Sequence, residues 1–183
     1  MALSEFLKKK TSLAFNKYDV SNDGVVTVSD FEDIAQKVAQ KLGINPGSPE
    51  HNKITAAYRK IWDGYFKPAD VDGDNKVVLE EYIKACERFI ESPNARKIGT
   101  DWNKMLYDAI DLDGNGSIDE KEFSVFLTTI GSSEADAKIA FSHIDTDNDG
   151  FISREEFAQN SYDYHTSQDT QSPANWFYGS MGM

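Results

Sequence analysis

The chain has 183 residues, with 31 acidic against 19 basic side chains and a net charge of −12. That balance excludes general nucleic-acid or anionic-membrane binding, which needs a basic footprint. An apolar content of 39% with 12% aromatics is too rich for a disordered acidic chain, and the length suits one domain or two small lobes sharing a core.

The N-terminal stretch from Met1 to Lys10 lacks the basic, apolar and small-residue order of a signal peptide. Ala2 stands where myristoylation needs glycine. No apolar run approaches the roughly 18–20 residues of a membrane helix. From there the periodicity is helical. Leu3, Phe6, Leu7, Leu13, Ala14 and Tyr18 form one stripe, and Phe31, Ile34, Ala35, Val38, Ala39 and Leu42 a second. Gly43 to Pro49 breaks the pattern, with Ser48 as N-cap and Pro49 at the first helical position. Ile54 to Phe66 and Tyr82 to Ile90 give the third and fourth helices. Cys86, the one cysteine, lies in the fourth stripe and reads as core. A single cysteine excludes an internal disulfide and fits a reducing, cytoplasmic compartment. Stripes around Trp102–Ile110, Phe123–Ile130, Ala137–Ile144 and Phe157–Ala158 complete eight helices. The helical pattern dissolves after about residue 162 into a polar tract that ends in Trp176-Phe177-Tyr178-Gly179.

Between these helices one 12-residue pattern occurs four times, at 19–30, 70–81, 111–122 and 145–156. The starts are 51, 41 and 34 residues apart, too irregular for a stacked solenoid. Each copy has the spacing of a helix–loop–helix Ca²⁺ site, the EF-hand. A hard cation of this size takes about six to eight oxygens at about 2.3–2.6 Å. Side-chain oxygens at positions 1, 3 and 5, a carbonyl at 7 and a carboxylate at 12 let one tight loop wrap it. Position 6 makes a sharp turn with positive φ and favours glycine.

The fourth loop meets every requirement, with Asp145, Asp147, Asp149, the Phe151 carbonyl and Glu156, and with Ser153 and Glu156 as a capping box. The third is equally complete, with Asp111, Asp113, Asn115, the Ser117 carbonyl and Glu122. The first has Asp19, Ser21, Asp23, the Val25 carbonyl and Asp30. Aspartate at position 12 is one methylene short, which favours six-coordination and predicts weaker discrimination against Mg²⁺. The second has Asp70, Asp72, Asp74, the Lys76 carbonyl and Glu81, but carries Asn75 at position 6 and Val78 at position 9. Weaker binding is expected there, since Asn tolerates positive φ less well than Gly but better than other residues. Val26, Val77, Ile118 and Ile152 at position 8 predict short antiparallel pairings between loops one and two and between three and four. The expected fold is all-α: four EF-hands in two packed lobes, 1–92 and 100–162, with a linker at 93–99 and a tail at 163–183 packing on the lobes.

Four such loops, a long insertion between the first two, Asp30 closing the first loop and the aromatic-Gly segment at 176–179 resemble the invertebrate sarcoplasmic calcium-binding proteins and their coelenterazine-binding relatives. The resemblance implies two lobes packed face to face around an apolar interior, and Ca²⁺/Mg²⁺ buffering. Two alternatives stand beside a buffer. A sensor would open a Met-rich groove for target helices, yet Met105 alone lies in the body, with Met1, Met181 and Met183 at the ends. A carrier would hold a small apolar ligand such as coelenterazine, with His165, Tyr162, Tyr164 and Trp176 as candidates to surround it. The bland alternative packs those residues on the C-terminal lobe, with His51 beginning a helix and His143 on a helix surface. No P-loop, nucleophile motif or zinc-spaced cluster points to catalysis. A monomer that binds Ca²⁺ at up to four sites, with Mg²⁺ competing, is expected. The expected loop ligands account for 15 of the 31 acids, and four Ca²⁺ would bring the charge from −12 to −4.

Overall fold

The computed structural model describes residues 2–181. Met1, Gly182 and Met183, the last two of them part of the expected tail, lie outside the described residues. Among the described residues eight α-helices appear in the expected order. They are α1 (Glu5–Tyr18), α2 (Val28–Lys41), α3 (Pro49–Ile61), α4 (Leu79–Glu91), α5 (Ala95–Ile110), α6 (Glu120–Thr129), α7 (Glu134–Ile144) and α8 (Arg154–Thr166). The strands β1 (Val25–Val26) and β2 (Val77–Val78) pair antiparallel, with Val25 opposite Val78. The strands β3 (Ile118–Asp119) and β4 (Phe151–Ile152) pair likewise, with Ile118 opposite Ile152. All four position-8 residues are fully buried, so each pairing joins two loops over an apolar pin.

Local chemistry sets the helix ends. Ser4, Ser48 and Ser133 accept from the backbone N–H three residues on, which satisfies one orphan donor of each first turn. Two boundaries differ from the periodic reading. Residues 95–99, expected in a linker, are the first turns of α5, and α8 runs four residues past 162. Both extensions bury residues against other elements: a Cβ on Gly99 would sit 3.5 Å from Phe89 and 3.6 Å from Tyr162, and His165 packs on Trp102. The helix that leads into the second loop is also not one continuous α-helix. It passes at Trp62–Phe66 into a π turn and then a 3-10 turn at Lys67–Ala69. Pro68 has no N–H to continue the ladder. A Cβ on Gly64 would sit 2.8 Å from Met105 Cε, so this turn rests directly on α5.

The two halves share one core. α1 packs on α8, α2 on α6 and α3 on α5. Tyr18, Phe31, Phe66 and Tyr82 form an aromatic stack in the first half, with ring centroids 5.0–5.5 Å apart along the chain of contacts. The C-terminal segment reaches it: Tyr178 meets Tyr18 at 5.8 Å and Tyr164 at 4.9 Å, while Phe177 meets Phe157 at 4.9 Å. The tail therefore packs between both halves rather than on the second alone. Buried Lys10 ties it down, donating to the Ser167 carbonyl at 2.7 Å and to Asn175 Oδ1 at 3.3 Å. His143 is not a bare surface residue, since Trp176 of the tail stacks on it at 5.0 Å.

Candidate metal centres

Each loop is wound by the same hydrogen bonds. The position-1 carboxylate accepts the N–H of position 6: Gly24 to Asp19, Asn75 to Asp70, Gly116 to Asp111 and Gly150 to Asp145, at 2.9–3.1 Å. The position-5 side chain accepts the N–H of position 7: Val25 to Asp23, Lys76 to Asp74, Ser117 to Asn115 and Phe151 to Asp149, at 2.7–3.0 Å. The position-12 carboxylate accepts the N–H of position 9, from Thr27, Val78, Asp119 and Ser153 to Asp30, Glu81, Glu122 and Glu156. These bonds turn the oxygen-bearing residues toward a common centre.

The backbone takes positive φ twice per loop. Position 6 does so at Gly24, Asn75, Gly116 and Gly150, with Asn75 at 64°. Position 4 does so as well, at Asn22, Gly73, Gly114 and Asn148. Sequence reasoning missed that second turn. Its signal is plain in hindsight, because only Asn or Gly occupies position 4, and these are the residues that enter the left-handed region most readily.

Three of the centres bring three carboxylates together: Asp70, Asp72 and Glu81; Asp111, Asp113 and Glu122; Asp145, Asp147 and Glu156. In each set the ligand atoms lie within 4.8 Å of one another. Like charges that close repel unless a cation joins them. The donor set is all oxygen, which suits Ca²⁺ or Mg²⁺ rather than a soft metal. Asp111 Oδ1 is buried with no hydrogen-bond partner, an orphan acceptor that an ion in the third loop would satisfy. The residues present fit the ion.

The sites differ in setting. Asp111 and Glu122 are both buried, and burial raises the Glu122 carboxyl even though three backbone N–H groups donate to it. Burial acts on Glu156 too, but hydrogen bonds from Ser153 and Thr146 outweigh it and hold the carboxyl at about 2. In the third and fourth loops the position-9 side chain returns a bond to the position-12 N–H, from Glu122 to Asp119 and from Glu156 to Ser153. Val78 has no oxygen to do so, and the second loop is the most solvent-exposed of these three. The first loop has Ser21 at position 3, so it lacks the carboxylate that Asp72, Asp113 and Asp147 supply there in the other loops; the Ser21 hydroxyl donates to Asp19, at 3.2 Å. Asp30 is 2% exposed and spans Ser21 N–H and Thr27 N–H with its two oxygens.

A separate, partly open cavity of about 300 Å³ lies between the helices that flank the second loop, with α5 and α8 forming further walls. Tyr65, Tyr82, Phe89, Ile98, Trp102 and His165 line it. Tyr65 stacks on Trp102 at 4.3 Å and shares a 3.0 Å hydroxyl hydrogen bond with Tyr82. Trp102 Nε1 and His165 Nε2 are buried without hydrogen-bond partners among the described residues. Of the four residues proposed from sequence to surround a ligand, only His165 lines this space; Trp176 stacks on His143, and Tyr162 meets Phe89 edge-on. Cys86 also borders it, and burial pushes its thiol up to about 12, so it is an un-ionised wall residue at neutral pH.

Paired helix–loop–helix units with oxygen-only centres, joined by short strands, define an EF-hand protein. The EF-hand domain pair model matches residues 100–162, and an EF-hand model matches residues 12–35. The chain is 30% identical to calerythrin of Saccharopolyspora erythraea over 166 residues, covering 88% of this chain and 91% of calerythrin. It is 28% identical to the sarcoplasmic calcium-binding protein of Perinereis vancaurica tetradentata over 129 residues, 70% of this chain and 71% of that one. In fold it is similar to the coelenterazine-binding protein of Renilla muelleri in its Ca-loaded apo form, with TM-score 0.83 at 22% identity over 97% of this chain and 99% of that one. The chain belongs to the EF-hand calcium-binding family that includes calerythrin and the sarcoplasmic calcium-binding proteins.

Proposed function

We propose that the protein is a monomeric cytoplasmic Ca²⁺/Mg²⁺ buffer with up to four sites. The observation that carries the reading is that all four loops share one wound geometry, down to the position-1 to position-6 bond. The fixed aromatic core and the tail support a buffer over a sensor. Tyr178 is fully buried between the halves, and Phe177 beside it is fully buried too, so the inner faces where target helices would lie already have an occupant. Mg²⁺ holds some loops at rest, the first above all, and Ca²⁺ displaces it during a transient. Buffer sites of this type bind at roughly 10⁻⁹–10⁻⁸ M. Calorimetric titration with and without Mg²⁺ counts the sites, and fewer than two bound Ca²⁺ sinks the proposal. Retention on a hydrophobic resin that depends on Ca²⁺ would favour a sensor instead.

The aromatic cavity favours a second reading, a carrier of a small apolar ligand. Its volume of about 300 Å³ lies at the small end of ligand sites, about 300–1,000 Å³. The two orphan ring nitrogens offer a donor at Trp102 and an acceptor at His165. Coelenterazine is the probe to try, by absorption, against the Ca²⁺-free and Ca²⁺-loaded protein. Saturable binding that Ca²⁺ abolishes would replace buffer by carrier.

A further inference from the structure

We propose that Arg154, on the fourth EF-hand, sets the ion affinity of the third loop by acting as a fixed opposing charge. This rests on the reading of that loop as a Ca²⁺ site. Arg154 is the first residue of α8. One guanidinium nitrogen pairs with Asp108 Oδ1 at 2.8 Å, and the other lies 3.9 Å from Asp111 Oδ2. Asp111 is the position-1 oxygen donor of the third loop, and its side chain is 4% exposed. A residue of one EF-hand thus places a positive charge against the first ligand of another.

The guanidinium is held there. It stacks over the Tyr107 ring at 4.3 Å. Tyr107 is itself locked, its hydroxyl sharing its one proton between the Gly116 carbonyl of the third loop at 3.0 Å and the Ile152 carbonyl of β4 at 2.8 Å. One tyrosine therefore bridges both loops, and the arginine lies on its face. Position 10 carries Val28, Leu79 and Glu120 in the other three loops, so the arrangement is particular to this pair.

The charge acts in opposite directions on the two states of the loop. Without an ion, Asp111, Asp113, Asp119 and Glu122 repel one another, and Arg154 offsets part of that repulsion. With an ion at the orphan Asp111 Oδ1, Arg154 faces a divalent cation across the carboxylate, on the order of 6–8 Å away, beyond the 3.9 Å contact to Oδ2. In a water-like dielectric that repulsion weakens binding about five- to tenfold. Arg154 therefore steadies the ion-free third loop and lowers its Ca²⁺ affinity.

The test is a chelator-buffered Ca²⁺ titration of the full chain followed by amide NMR. The Gly116 and Gly150 amides each donate to the position-1 carboxylate of their own loop, so they report the third and fourth sites separately. Arg154→Gln should lower the Gly116 midpoint about five- to tenfold, and Arg154→Lys, which keeps the charge, should stay near the parent. Raising the salt should narrow the gap, because a half-exposed charge is screened. A Gly116 midpoint unmoved in Arg154→Gln, an equal shift in Arg154→Lys, or a larger shift at Gly150 than at Gly116 overturns the proposal. A parent Gly116 amide that ignores Ca²⁺ altogether overturns the reading of the loop as well.

Discussion

Acid should weaken this protein through one buried ring. His165 is 8% exposed, edge-on to Trp102 at 5.5 Å, Tyr164 at 5.2 Å and Tyr178 at 6.2 Å. Burial, with a smaller push from the charge of Lys10, lowers its pKa from 6.5 to about 3. The unfolded chain regains the ordinary value of about 6.5. Between those two values the unfolded chain binds a proton that the folded protein refuses. Stability is therefore greatest above the unfolded value and falls as pH drops through about 6.5 toward 3. Each unit in that window is worth about 1.4 kcal/mol. From pH 7 to pH 5 the loss from this ring alone is about 2 kcal/mol. The loop carboxylates and their ions also respond to pH, so the informative quantity is a difference. Urea unfolding of the parent and of His165→Phe, both at saturating Ca²⁺, should show the parent losing about 2 kcal/mol more over that interval. Equal losses in the two proteins would refute the reasoning, since they would mean the ring takes up its proton without unfolding.

Three further outcomes follow from the loops and the tail. Glu122→Gln should reduce the calorimetric Ca²⁺ stoichiometry by one, because the third loop loses one carboxylate of its buried triad. Asn75→Ala should destabilise the Ca²⁺-loaded protein by about 1 kcal/mol in thermal unfolding, because alanine pays the left-handed penalty that Asn partly escapes; Asn75→Gly should stay within about 0.5 kcal/mol of the parent. Tyr178→Ala should cost about 3–5 kcal/mol in denaturant unfolding, since that ring is fully buried against Tyr18 and Tyr164.

The metal-binding character was legible in the sequence because it is local. Twelve consecutive residues hold the oxygens, the turn residues and the cap, and the bonds that wind each loop run between residues at most ten positions apart. The same locality made Ser48, Pro49 and Ser153 readable as helix starts. The second positive-φ position was equally local, but asparagine there also reads as an ordinary acidic-loop residue, so its role shows only in the backbone.

Composition, periodicity and spacing by themselves determined the eight helices and the four loops. Tertiary structure alone decided the rest. The π turn before the second loop depends on Gly64 meeting Met105, 41 residues on. The path of the tail depends on Tyr178 finding Tyr18 and on Lys10 finding Ser167. The cavity exists because Tyr65, Trp102 and His165 come from three separate helical segments. Arg154 reaches Asp111 only because β3 pairs with β4 and brings two loops side by side. Contacts of that kind depend on how distant segments pack, and no periodicity within a segment records them.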